Sequence, residues 1–432
     1  MVERYSLGQA SLTFLLVLSL VFTSKATDNQ DTIPVTATQN PLEKLSLGGY
    51  GAANYYNFNW QTDSSKRNAI DQEFLVLELK YHWTDKIRLN AEIEFEHGGT
   101  GASVEFDRFE EYGEFEYEIS KGGEVFVEEM NLEFDVWKKS KFQVGRVKVP
   151  FGSSFNRNEP TDYLTATFSE MEATILPQNW TENGLSFSTL LGKKNNWTFY
   201  ISLINGLDGS AFNSANWIKR GHQKRFELVN AESFAFASRL DFSPNEKIKF
   251  GVSVYGGNTT GNRPKPDLQV DTPLGIADFH YHQETSWAEI NAMFFYGALG
   301  NSEALTNQNR NLSNNLNVKR TPVAAAAIGG FAEIAFPVIQ GDPLSTLPKE
   351  RMGLTLYGRA DYYDTMFSTQ GEVFNNPRWE RTAFSFGAVF KVIEEVQFKT
   401  QYILRTVGAP APTSIDGGTQ ENTFILGFAF EF

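Results

Sequence analysis

From residue 45 onward, apolar and polar side chains alternate with a period of two, segment after segment. That pattern restricts the fold more than any other feature of the chain. Successive strand residues point to opposite faces, so such a segment is a strand with one apolar and one polar face. Leu75, Leu77, Leu79, Tyr81 and Trp83 alternate with Glu78, Lys80 and His82. Ile87, Leu89, Ala91, Ile93 and Phe95 alternate with Arg88, Asn90, Glu92, Glu94 and Glu96. The chain closes on Phe424, Leu426, Phe428, Phe430 and Phe432, all on one face.

Sixteen strands are expected near 45–60, 69–84, 86–97, 124–137, 141–151, 182–191, 196–205, 232–242, 247–257, 275–285, 286–298, 323–336, 350–364, 380–392, 395–407 and 420–432. Sixteen is an even number within the range of bacterial membrane barrels. Many exceed the ~9–11 residues that a tilted strand needs to cross a bilayer. Tight turns at 84–85, 243–246 and 393–395 alternate with long polar stretches at 152–181, 206–231, 258–274, 299–322 and 408–419. The segment 98–123 fits either a loop or an extension of its flanking strands. The pattern predicts an all-β fold: a single transmembrane antiparallel β-barrel of about 16 strands with long loops on one side. A soluble β-protein is the rival, but it gains little from ending on five apolar residues of one face.

The N-terminus reads differently. Leu12 to Phe22 is apolar but too short to span a bilayer. Arg4 precedes it, and Ser24 and Ala26 supply small residues before a cut. The expected organisation is a signal peptide at 1–26, a periplasmic lead-in at 27–44 and a barrel at 45–432. Cysteine is absent, which removes disulfides and thiolate chemistry and suits an exported chain. The formal charge is −14, the wrong sign for a nucleic-acid binder. Without residues 1–26, which hold Glu3, Arg4 and Lys25, it becomes −15. The 14% of aromatic residues rules out disorder.

Residues 142–152, FQVGRVKVPFG, resemble the strand and turn of the phosphate-selective porin O/P family. So do Asn158-Glu159-Pro160-Thr161-Asp162-Tyr163-Leu164, Leu176-Pro177 and Trp180-Thr181-Glu182-Asn183-Gly184, with Gly48-Gly49-Tyr50-Gly51 and the terminal Phe432 in the same style. The resemblance spans most of 45–432. It implies a sixteen-stranded, trimeric channel for small solutes, often anions, with no cofactor. No arginine ladder matches position by position.

The alternation turns Lys80, Arg88, Arg239, Lys249, Arg359, Arg381, Lys391, Lys399 and Arg405 inward. Arg146 and Lys148 are also assigned inward, because Val147, Val149 and Phe151 suit lipid; Phe142 and Val144 then point inward too unless a bulge shifts the phase. Basic and acidic faces opposite each other would set a transverse field that selects ions. The pore-lining set is taken as Arg146, Lys148, Arg157, Arg88, Lys80, Arg239, Arg359 and Lys399. The other reading is that these cations pair with lumen acids and hold the wall. Residues 152–181 either narrow the pore or stay at the surface.

Glu92, Glu94 and Glu96, and Glu129, Glu133 and Asp135, form carboxylate rows. Such rows serve glycosidases or calcium sites, but spaced ~7 Å apart along a strand they read as a hydrated wall. His280 and His282 with Asp278 resemble a metal site less than water-facing lumen residues. No Ser-His-acid trio stands out, so no catalytic residue, metal or cofactor is assigned. The expected function is passive diffusion of small hydrophilic solutes, with a mild anion preference, by a homotrimer in the lipid bilayer of the cell outer membrane. The alternatives are a barrel hydrolase and a barrel whose loops bind surface partners.

Overall fold

A computed structural model describes residues 41–99, 102–107, 116–121, 123–223, 228–311, 321–340, 352–412 and 414–432. The expected signal peptide, and all but the last four residues of the lead-in, lie outside them. The chain divides into Met1–Glu43 and Lys44–Phe432; the second unit is the barrel.

Among the described residues the eighteen strands are β1 Leu45–Trp60, β2 Ala69–Thr84, β3 Ile87–Glu96, β4 Ala102–Asp107, β5 Glu116–Lys121, β6 Val125–Trp137, β7 Ser140–Lys148, β8 Thr181–Leu191, β9 Trp197–Asn205, β10 Phe234–Asn245, β11 Ile248–Asn258, β12 Pro273–Glu284, β13 Glu289–Leu299, β14 Ala326–Gln340, β15 Gly353–Ser368, β16 Glu380–Ile393, β17 Val396–Val407 and β18 Gln420–Glu431. Sixteen of them close into one antiparallel barrel, each paired with its sequence neighbours except that β3 pairs with β6 and β18 closes on β1. The segment 98–123 is neither of the expected alternatives alone: β4 and β5 form a separate two-stranded sheet. Two short helices, α1 Glu170–Ile175 and α2 Ser302–Arg310, lie in long loops.

Closure runs through the last residue. The Phe432 amide donates to the Gly49 carbonyl at 2.9 Å, and the Gly49 amide donates back at 3.1 Å. Ala53 stands opposite Phe428 in the β1–β18 ladder. A closed ladder leaves no unpaired sheet edge, the condition for a sheet in hydrocarbon. The turns at Asp85-Lys86, Glu246-Lys247 and Glu394-Glu395 share one end with Phe432, and the long loops share the other.

The faces separate as alternation requires. Leu75, Leu77, Phe236, Val252, Val254, Phe279, Phe294, Phe384, Phe386, Phe398, Leu426 and Phe428 all point outward and are exposed. A continuous apolar belt of this kind is far larger than water tolerates and matches hydrocarbon. Phe428, Phe430 and Phe432 stack along it at 6.3 and 6.4 Å. The inner wall carries Glu92, Glu133, Arg239, Asp241, Arg359, Asp361, Lys399 and Gln401, all buried.

β7 departs from expectation. Phe142 packs beside Phe134 at 6.4 Å, while Gln143 donates to the inner-wall Glu133 at 2.9 Å, so Phe142 faces out. Gly145 has a positive φ of +133°, but the β6–β7 and β7–β8 ladders run through it without a register shift. A side chain there would strike the Met130 carbonyl at 2.3 Å. Val147 lies four residues from Gln143 and keeps its inward phase, and with Val149 and Phe151 it does not meet lipid. They are buried in an internal apolar cluster with Met171, Ile175, Leu176 and Trp180. Trp217, Ile218 and Leu305 from the long loops join the same cluster.

Candidate pore and its constriction

The loop after β7 turns into the barrel at Gly152, whose φ of +82° is left-handed. Its amide donates to Asp278 Oδ2 at 3.1 Å. Its carbonyl accepts from Arg239 Nη1 at 2.5 Å. Glu172 folds back onto the turn and accepts the Ser153 and Ser154 amides at 2.8 and 3.1 Å. Ser169 caps α1 by accepting from the Glu172 amide at 3.1 Å. A buried carboxylate that accepts several backbone N–H groups fixes a loop as a strand ladder would.

The same loop is then held on the far walls. Arg359 donates to Thr165 Oγ1 at 2.7 Å and to the Phe168 carbonyl at 3.2 Å. Lys399 donates to the carbonyls of Pro160, Tyr163 and Thr165 and lies 4.4 Å over the Tyr163 ring. Gln401 accepts the Ala166 amide at 3.0 Å. Asn158 donates to the Tyr50 hydroxyl at 3.1 Å. Thr161 donates to Glu431 Oε2 at 2.5 Å. Arg157 reaches outward from the loop to Glu289 at 3.0 Å and to Asn291. Residues 152–175 therefore cross the lumen and bind inner faces of β1, β10, β12, β13, β15, β17 and β18.

The eight cations singled out in the sequence separate into distinct settings. Arg239, Arg359, Lys399 and Arg157 are the staples of this loop. Arg239 also pairs with Asp241 at 2.8 Å, and Arg359 with Asp361 at 2.9 Å. Arg88 bonds Glu133 at 2.6 Å and also Asp135, on the opposing acidic wall. Lys148 lies 3.3 Å from Glu92 and 4.0 Å from Glu129. Lys80 is exposed and 3.5 Å from Glu78. Arg146 is buried, and donates to the carbonyls of Glu128 at 3.0 Å and Gln223 at 3.1 Å. The structure does not bring all eight to one ring.

Beneath the loop lies a cavity of about 290 Å³. Arg157, Arg239, Lys249 and Arg359 line it with Asp162, Glu172, Glu289 and Glu333. Toward the short-turn end a second cavity of about 810 Å³ is lined by Lys139, Lys141 and Lys148 with Glu129, Glu133 and Asp135. Both are close to charge balance. His280 is held on both sides, by Asp278 at 2.7 Å and Asp241 at 2.8 Å. His282 bonds Asn291 at 2.7 Å. The Glu92 carboxylate accepts from the Tyr50 hydroxyl at 2.7 Å. At the loop tip, burial, then a hydrogen bond donated to Glu431 and the nearby Asp162 charge, push the Glu159 carboxyl up to about 7.

No family model matches the chain. An uncharacterized protein of Aquifex aeolicus is 24% identical over 363 residues, 83% of this chain and 75% of that protein. The anion-selective porin from Comamonas acidovorans matches 90% of this chain and 99% of its own, at a TM-score of 0.53 and 9% identity. The fold is that of an outer-membrane porin. The outer membrane channel DcaP of Acinetobacter baumannii is similar to the same extent, with a TM-score of 0.52, 10% identity, and 90% and 97% of the two chains covered. At these identities the shared property is the closed porin-type barrel.

The sequence marked the porin barrel and the cations but missed the apolar cluster. Trp217 and Ile218 lie in a stretch that reads as polar and glycine-rich, yet both are fully buried. Gly206, Asn213 and Asn216 around them carry the only local hint, a loop rich in turn formers.

Proposed function

We propose that this chain is an outer-membrane porin, exported with residues 1–26 removed, that passes small hydrophilic solutes by diffusion as a homotrimer. One observation carries the reading: a closed barrel with an apolar exterior holds a loop across a charged lumen. A barrel that served only to display surface loops would need no internal strap. A hydrolase reading finds no support at His280, whose two ring nitrogens are both taken by carboxylates.

The finer reading is a mild anion preference at most, in the manner of the phosphate-selective porin O/P family that residues 142–152 resemble. The strongest basic side chains donate to loop carbonyls or pair with acids, so little free positive charge faces a passing ion. Screening within ~8 Å at physiological salt limits what remains. The test is single-channel recording in planar bilayers with a salt gradient. Stepwise conductance with a small reversal potential supports the proposal; correctly folded protein that gives no conductance overturns it.

A further inference from the structure

At the long-loop mouth, β1 presents three aromatic rings inward. Tyr56 and Phe58 stack at 5.6 Å with planes 1° apart, and Phe58 meets Trp60 edge-on at 5.4 Å. The row is fixed at both ends. The Trp60 indole N–H donates to Thr423 Oγ1 at 3.0 Å, and the Tyr56 hydroxyl bonds Glu73. Tyr56 and Phe58 line a cleft of about 590 Å³ together with Asp63, Lys66, Arg67 and Asp71. That volume lies in the range of small-molecule sites.

Two of the protein's own cations already lie on these ring faces. Lys66 Nζ is 4.9 Å from the Phe58 centroid and 5.0 Å from that of Trp60. Arg405 is 4.9 Å from Trp60 but is also tied to Glu421 at 2.9 Å. Lys66 differs: it is exposed, and among the described residues it makes no ion pair with a carboxylate. Its ammonium is compact and strongly hydrated, so its hold on two rings is weak. Ring faces attract cations through the ring quadrupole, and a weakly hydrated organic cation loses less water on binding them. Once Lys66 swings away, Asp63 and Asp71 outweigh Arg67 in the cleft lining.

We propose that the Tyr56–Phe58–Trp60 row is a docking subsite for weakly hydrated organic cations of the quaternary ammonium class, with Lys66 as an internal occupant that such a solute displaces. The row adjoins the loop across the lumen, where Tyr56 packs against the cluster that holds Ala166, and the proposal does not depend on the selectivity of the pore.

The experiment titrates the full-length, detergent-solubilised protein with tetramethylammonium chloride, against sodium chloride at matched ionic strength and against glucose. Tryptophan emission reports binding, and Trp60→Phe identifies the responding ring. Tetramethylammonium should change the emission saturably, whereas sodium and glucose should not. Lys66→Gln should tighten binding, and Phe58→Leu should weaken it, each about two- to fivefold, the weight of one exposed cation–π contact. Heat-modifiable migration checks that each variant is folded, and Lys66→Gln carries the test alone if Phe58→Leu is not. An equal response to sodium, an equal response to glucose, or weaker binding in Lys66→Gln overturns the proposal.

Discussion

Replacing Lys399 by Met tests the strap across the lumen at its far end. The ammonium donates to three loop carbonyls, of Pro160, Tyr163 and Thr165, and Lys399 is almost fully buried. Methionine keeps the stem and removes the donor. Hydrogen bonds to a charged group are each worth about 1.5–3 kcal/mol. They share one donor and are not additive, and water reaches part of the freed surface, so the loss of loop anchoring should be about 3–4 kcal/mol. Arg359, Gln401 and Asn54 still hold residues 165–168, so the tip loosens while the strap stays in place. The barrel ladder is untouched, and thermal stability of the whole protein should change little. The chain has no cysteine, so a single Cys at Leu164, which is buried between the bonded Tyr163 and Thr165, reports opening cleanly. In the Lys399→Met background a hydrophilic maleimide should label Leu164→Cys about 10²- to 10³-fold faster, each 1.4 kcal/mol being tenfold. Single-channel current should become larger and noisier. Unchanged labelling and unchanged conductance in a folded variant would refute the staple.

Three further outcomes follow from the geometry. The raised Glu159 carboxyl, at about 7 against an ordinary 4.5, favours the protonated form in the folded loop; its contribution to anchoring is complete below about pH 4.5 and is lost as pH rises through about 7. Conductance noise should therefore increase from pH 5 to pH 8 in the native protein, and Glu159→Gln should flatten that dependence. Arg146→Gln should cost about 2–4 kcal/mol by removing the guanidinium bonds to the Glu128 and Gln223 carbonyls, visible as a lower melting temperature, whereas Lys148→Gln should shift the reversal potential toward cation preference at low salt and leave the melting temperature nearly unchanged. Deleting Phe424–Phe432 removes most of the β1–β18 ladder and should abolish the compact, SDS-resistant gel species; a truncated chain that still migrates in that form would show that closure is not required.

Periodicity is a local property, and what it controls was legible along the chain. All sixteen barrel strands fall where the alternation places them, and β1 and β2 span 45–60 and 69–84. The placement of short turns at one end and long loops at the other follows from the same spacing. Two features escaped it, for physical reasons. Alternation shows which residues share a face, but an apolar face can meet lipid or an apolar cluster inside the barrel. In β7 the inward phase belongs to Gln143 and Val147, so the outward assignment of Val147, Val149 and Phe151 was one residue out. The constriction is decided by contacts between residues far apart in sequence. Lys399 meets Pro160, Arg359 meets Thr165, and Arg239 meets Gly152. No local pattern distinguishes an inward arginine that faces water from one that meets a loop carbonyl. Alternation placed Arg239, Arg359 and Lys399 on the inner wall. Only the closed barrel, by bringing β10, β15 and β17 around a single lumen, decided that these cations hold a loop across it.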